Sequence, residues 1–205
     1  MKKTVVIATF NAHKTEEIRA ILPPLELLFR PLCSFPGASA PAEDGATLGE
    51  NASAKAAAAA AFTGLPAMAD DTGLEVDALG GAPGVRSARY AGEGCVPAEN
   101  NARLLRELSG VAGAARRARF VCVVALAFPG GKVQLSEGRL EGRIAEAPSG
   151  AGGFGYDPLF EVEGTGLTLA DLPPGRKNEL SHRARALAGL LPELRRLAAA
   201  GPEPG

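Results

Sequence analysis

The sequence predicts an α/β fold, a long mixed β-sheet flanked by helices. Three observations predict it. The runs "TVVIAT" and "ARFVCVVALAF" are apolar without alternation, as in strands covered on both faces. Helical patterns follow such runs, as in βα units. The turn "PGGK" then joins the second run to "VQLSEGRLEGRI", an antiparallel hairpin that makes the sheet mixed rather than purely parallel. A length of 205 residues suits one sizeable domain or two small lobes sharing a sheet. Residues 1–200 are read as one domain, and the tail "GPEPG" (201–205) as disordered.

The elements follow in order. "TVVIAT" (4–9) is the first strand. "KTEEIRAIL" places Ile18, Ile21 and Leu22 at helical spacing, and Pro23 and Pro24 stop that helix. "LELLF" is a short strand, and residues 34–47, rich in Pro, Gly, Ala and Ser, are an irregular loop. "ENASAKAAAAAAF" (50–62) is helical on propensity alone and ends at Gly64. "PAMADD" reads as a short strand breaking into a turn, and "GGAPGVRSARYAGEG" as a long glycine-rich loop. "PAENNARLLRELSG" is a helix with Pro97 near its start and Leu104, Leu105 and Leu108 on one face. After the hairpin come a second glycine-rich loop, "PSGAGGFGYDP", and a short strand, "LFEV". "LSHRARALAGLLPELRRLAAA" is a final helical region, kinked or broken near Pro192.

Composition narrows the function. The net charge is -1, from 22 basic and 23 acidic residues, which argues against a surface that coats a nucleic acid polymer. Cys33, Cys95 and Cys122 are odd in number and lack a CxxC spacing, so neither a disulfide framework nor a structural zinc site is expected. Cys122 lies in an apolar run and is read as core. "MKKTVVIATF" has too short an apolar stretch for a signal peptide, and no run reaches membrane-spanning length. A cytoplasmic protein without a membrane segment is the expectation.

Four stretches could carry chemistry. In "TFNAHK" a strand turns into a helix, whose free N–H groups and dipole suit a phosphate. Thr9 and Asn11 add donors and Lys14 a full charge; alternatively Asn11 only caps the helix and Lys14 is solvated. In "ADDTGLEV" the neighbours Asp70 and Asp71 point to opposite faces of a strand, so one carboxylate looks into a given site. Asp71 is chosen for that face and Asp70 for a supporting role. Asp71 suits Mg²⁺, with Glu43 as second ligand and Glu50 as its competitor. In "GGFGYDP" the glycines let backbone approach a ligand and Phe154 offers a stacking face, with Tyr156 and Asp157 adding polar groups; a turn with Phe154 in the core is the plainer alternative. In "KNELSHRARAL", Ser181 can cap a helix whose first turn holds His182 and Arg183, cations in the place the dipole disfavours.

Taken together and in this order, "TFNAHK", "EDGATLGENASAKA", "ADDTGLEVDALGGAPGVRSARYAG", "GGFGYDPLF" and "KNELSHRARAL" resemble the signature blocks of the inosine triphosphate pyrophosphatase family, across residues 4–191. The resemblance implies a homodimeric, Mg²⁺-dependent enzyme of two lobes around a central nucleotide-binding cleft. Such an enzyme converts the non-standard purine nucleoside triphosphates ITP, dITP and XTP to the monophosphate and pyrophosphate. By resemblance, Thr9, Phe10, Asn11, Ala12, His13 and Lys14 bind substrate, chiefly its phosphates. Asp71 is the proton acceptor and a metal ligand, Glu43 lies near the metal, and Thr72 contacts substrate where Ser is common. Phe154, Gly155, Tyr156, Asp157, Lys177, His182 and Arg183 match the nucleoside-binding segments, and Lys55 is placed with the substrate-binding residues. His13 replaces the family's usual glycine, and Pro192 interrupts the last helix.

That chemistry agrees with the residues. Cleavage between the α and β phosphates needs charge neutralisation, from Mg²⁺ and Lys14, and an oriented water, from Asp71. Hypoxanthine and xanthine present a 6-oxo acceptor where adenine presents an amino donor, so donors from His182 and Arg183 would favour the former. Rival readings are a Maf-like nucleotide pyrophosphatase with other base preferences, a non-catalytic nucleotide sensor, and an RNA-binding module. The balanced charge and the lack of aromatic-rich strands disfavour the last.

Overall fold

In the computed structural model, residues 2–41 and 43–200 are described; the tail expected to be disordered, 201–205, lies outside them. Among the described residues seven strands form one sheet. They are β1 (Lys3–Ile7), β2 (Leu27–Pro31), β3 (Ala67–Val76), β4 (Pro83–Gly84), β5 (Arg117–Ala127), β6 (Val133–Ile144) and β7 (Phe160–Val162). Their order is β2-β1-β3-β5-β6-β7, with β4 paired to β3. β1 runs parallel to β2 and to β3, whereas β4 on β3 and β7 on β6 are antiparallel. β5 and β6 are neighbours joined by a turn too short for a crossover, closed by Phe128 N–H donating to Lys132 O at 2.9 Å. The sheet is therefore mixed. The helices are α1 (Ala12–Ile21), α2 (Leu48–Thr63), α3 (Pro97–Glu107), α4 (Pro174–Leu180) and α5 (His182–Ala199).

The chain forms two compact units. One draws on the segments through Asp71, Cys122–Gly138 and from Arg183 onward; the other on Thr72–Val121 and Arg139–His182. In the first unit, strand alternation separates two cores. Val5, Ile7, Met68, Cys122, Val124 and Leu126 pack with Ile18 of α1, with Leu22 just after it and with Ala186, Leu187, Leu190 and Leu194 of α5. Their alternate neighbours Val6, Ala8, Ala67, Ala69, Val123, Ala125 and Ala127 pack with Ala52, Ala56, Ala59 and Ala60 of α2. Both strand faces are covered, which is why these strands read as unbroken apolar runs. In the second unit a single core gathers Leu74, Val76, Leu104, Leu108, Phe120, Leu140, Ile144, Tyr156 and Phe160, among others.

Three expectations change. The strand holding the two aspartates does not break there; β3 continues to Val76, and β4 pairs with its far end through Leu74 and Glu75. A ladder partner outweighs the turn propensity of Asp and Gly. The following loop contains that short strand and is not wholly irregular. The last helix is unbroken: α5 carries Pro192 inside it. Pro192 and Ala188, whose carbonyl loses its bond, are both exposed, so water can satisfy that carbonyl.

Candidate active site

β3 brings its two aspartates to opposite faces, as strand geometry requires. Asp71 meets α2. Its Oδ1 accepts from Lys55 Nζ at 2.9 Å and its Oδ2 from Asn51 Nδ2 at 3.1 Å. Asn51 and Lys55 are four apart on one helix face, hence their convergence on one carboxylate. Lys55 also donates to Glu43 Oε1 at 2.8 Å. Its ammonium thus bridges the two carboxylates expected to serve a metal. Burial opposes the Lys55 charge, but Asp71 and Glu43 outweigh it and raise its pKa above the ordinary lysine value. Glu50, the competing ligand, instead accepts from Ala46 N–H at 2.7 Å, beside Thr47, which caps α2 through Glu50 N–H. That is a capping arrangement.

Asp70 meets α1 and α5. Its Oδ2 accepts from Arg183 Nη2 at 2.9 Å and Nε at 3.2 Å, and lies 3.1 Å from Lys14 Nζ. Arg183 also pairs with Glu17 through Nη1. Burial opposes the Asp70 charge, yet Lys14, Arg183 and Lys55 outweigh it and hold its carboxyl well below the usual range. Lys14 is therefore no solvated surface lysine; its side chain is only 16% exposed and aimed at Asp70. Asn11 does cap α1, accepting from Lys14 N–H at 3.3 Å, while Thr9 Oγ1 accepts from Asn11 N–H at 3.2 Å. Phe10, Ala12 and His13 are exposed in the same turn. Arg183, expected to donate to a base, turns its guanidinium to Asp70 and Glu17.

The second unit collects another group. Asp157 Oδ2 accepts from Lys177 Nζ at 2.7 Å and from Phe154 N–H at 2.8 Å. Lys177 Nζ lies 5.1 Å from the centroid of the half-buried Phe154 ring. Gly153 is needed here: its φ is +70°, and a Cβ on it would sit 2.1 Å from Asp157 Oδ2. Gly155 O accepts from Asn101 Nδ2 at 3.0 Å. Tyr156 is a core residue whose hydroxyl donates to Ser87 O at 2.9 Å, and burial pushes its pKa upward. His182 is buried and stacks on Phe120 at 4.7 Å and 16°. Thr72 is half-buried on β3.

Sequence reasoning missed Asn51, Glu17 and Asn101. Asn51 was findable, since it precedes Lys55 by one helical turn; Glu17 and Asn101 have no local signal, because their partners lie far away in sequence.

The chain resembles known proteins along nearly its whole length. The family model of the Ham1 family matches residues 5–193. The dITP/XTP pyrophosphatase of Geobacter sulfurreducens is 53% identical over 184 residues, 90% of this chain and 92% of that protein. That of Geobacillus kaustophilus is 51% identical over 188 residues, 92% of each. Among solved structures, a HAM1 protein from Coxiella burnetii superposes with a TM-score of 0.85 at 41% identity, covering 95% of this chain and 99% of that one. The Staphylococcus aureus Ham1 protein gives 0.84 at 37% identity, with the same coverage. Together with the mixed sheet and the Asp71 cluster, these matches make the chain a member of the Ham1 family.

Proposed function

We propose that the protein is a nucleoside-triphosphate pyrophosphohydrolase that splits ITP, dITP and XTP between the α and β phosphates and so removes deaminated purines from the nucleotide pool. The observation that carries this reading is the Asp71 cluster, set in a chain about half identical to proteins named dITP/XTP pyrophosphatases. Water attacks the α phosphorus, its proton passes to Asp71, the new P–O bond forms and pyrophosphate leaves. Asn51 fixes the carboxylate's orientation, its own Oδ1 being held by Gly45 N–H at 2.8 Å. Lys14 and the start of α1 take the phosphates, Lys14 being steadied by Asp70.

Magnesium belongs to the same proposal, and the donor set fits it. Asp71 and Glu43 offer hard oxygens that a single cation, the Lys55 ammonium, already joins. Among the described residues no group of three or more His, Cys, Asp or Glu gathers as a metal site. Two carboxylates completed by phosphates and water suit Mg²⁺, which keeps several non-protein ligands. Bound by Asp71 and Glu43, the ion would neutralise charge developing on the phosphates.

The nucleoside-binding role belongs to the same proposal, with Phe154 as a stacking face and Lys177 and His182 as donors toward a 6-oxo group. Arg183 supports the phosphate end by holding Asp70. A homodimer and a cytoplasmic setting complete the proposal. The family resemblance supports the first; for the second, no helix among the described residues is long and apolar enough to cross a membrane. Steady-state kinetics on ITP, XTP, ATP and GTP, with Mg²⁺ and with EDTA, tests the whole. Pyrophosphate release should need Mg²⁺ and favour ITP and XTP over ATP by about 100-fold or more. Equal turnover of all four, or none of any, rejects it.

A further inference from the structure

We infer that Lys55 is a built-in placeholder for the divalent cation, joining Asp71 and Glu43 while the metal is away and giving up its place between them when the metal binds. The inference rests on the Mg²⁺-dependent reading above and adds a competitor inside the chain. Three observations carry it. The Lys55 Nζ lies 2.9 Å from Asp71 Oδ1 and 2.8 Å from Glu43 Oε1, so it occupies the space two ligands of one ion would share. Its residue is only 5% exposed, on a helix turn fixed against β3, so the contact is not a surface accident. And Asp71 and Glu43 come from a strand and a loop, and without a cation between them the two carboxylates would repel.

Lysine suits such a role better than arginine. Its ammonium is a compact point charge on a flexible stem, able to swing away, whereas a guanidinium fork locks onto carboxylates. The consequence is a trade. The carboxylates stay gathered before metal arrives, so the site is preorganised. Metal alone must displace a cation and therefore binds weakly, while metal arriving with a triphosphate offers the released ammonium new anionic partners.

The test uses the full-length protein, Mn²⁺ as probe and no nucleotide, with binding followed by titration calorimetry and electron paramagnetic resonance. Lys55→Met should bind Mn²⁺ about tenfold tighter than wild type, since a like charge at contact distance is gone. Lys55→Arg, which keeps the charge, should bind no tighter than wild type. Without metal, Lys55→Met should melt below wild type, and saturating Mn²⁺ should narrow that gap. Lys55→Gln repeats the test should the methionine variant fail to fold. Equal or weaker Mn²⁺ binding by the neutral variants overturns the inference, as does a matching gain in Lys55→Arg. A separate assay guards the underlying reading: if wild type releases no pyrophosphate from ITP with any divalent ion, the Mg²⁺ reading itself fails and the placeholder with it.

Discussion

Adjacent strand residues leave opposite faces, and Asp70 and Asp71 acquire different chemistry from that fact alone. Asp71 is bound by a lysine that can leave and an amide that orients. Asp71→Asn keeps the size and the amide contact but removes the proton acceptor. It should lower kcat on ITP by about 10²–10⁴-fold with a much smaller change in nucleotide affinity, read by single-turnover kinetics and equilibrium binding. Asp70 is a buried anchor for Lys14 and Arg183. Asp70→Asn leaves both cations undercompensated and should cost about 3–5 kcal/mol in urea unfolding. The pH sign follows. Because the folded carboxyl lies below its ordinary 3.8, the unfolded chain binds the extra proton, so stability from this group is complete above about pH 4 and falls away as acid approaches the folded pKa. Asp70→Asn should therefore flatten the acid limb of the stability profile; an unchanged limb places the acid sensitivity elsewhere. The sequence revealed that the two aspartates must diverge, since period two demands it. It concealed which cations each would meet, because Arg183 lies 113 positions from Asp70 and only tertiary folding pairs them.

At the scale of elements, what was legible is what local physics decides. The alanine-rich α2 and its end at Gly64, whose φ is +65°, follow from propensity and capping. The unbroken runs in β1 and β5 follow from burial on both faces. What failed locally was set by partners. β3 persists past its aspartates because β4 supplies a ladder and cations supply counter-charge, neither visible in six residues of sequence. Likewise α5 survives Pro192 because Ala186, Leu187, Leu190 and Leu194 bind it to the first unit's core on both sides of the proline. The helix still bears the cost of one lost hydrogen bond and a crowded carbonyl. Pro192→Ala restores both, at about 3 kcal/mol in a helix interior, less about 0.4–1 kcal/mol of lost unfolded-state restriction. The variant should gain roughly 2 kcal/mol in denaturant unfolding with no change in KM for ITP. A loss of stability instead would mean that the proline's ring packs in a way its exposure does not suggest.

At the scale of the whole molecule, the near-zero net charge leaves specificity to local groups of charge, and the chain's path ties the two units together. β3 begins in the first unit and ends in the second, and β5 begins in the second and ends in the first. A strand cannot keep its ladder at one end while its other end loses the backbone geometry next to it, so unfolding should pass along these strands. The sequence provides a reporter for this. It has two tyrosines and no tryptophan, and both Tyr90 and Tyr156 belong to the second unit, each in its core. Tyrosine fluorescence therefore reports the second unit, whereas far-ultraviolet circular dichroism averages both. Leu187 is fully buried in the first unit's core, so Leu187→Ala should cost about 2–5 kcal/mol. With shared strands, the fluorescence midpoint should fall together with the dichroism midpoint, although the substitution lies in the other unit. A tyrosine signal that keeps its wild-type midpoint while dichroism splits into two steps would show the units melting separately, and the strands they share would then not be what couples them.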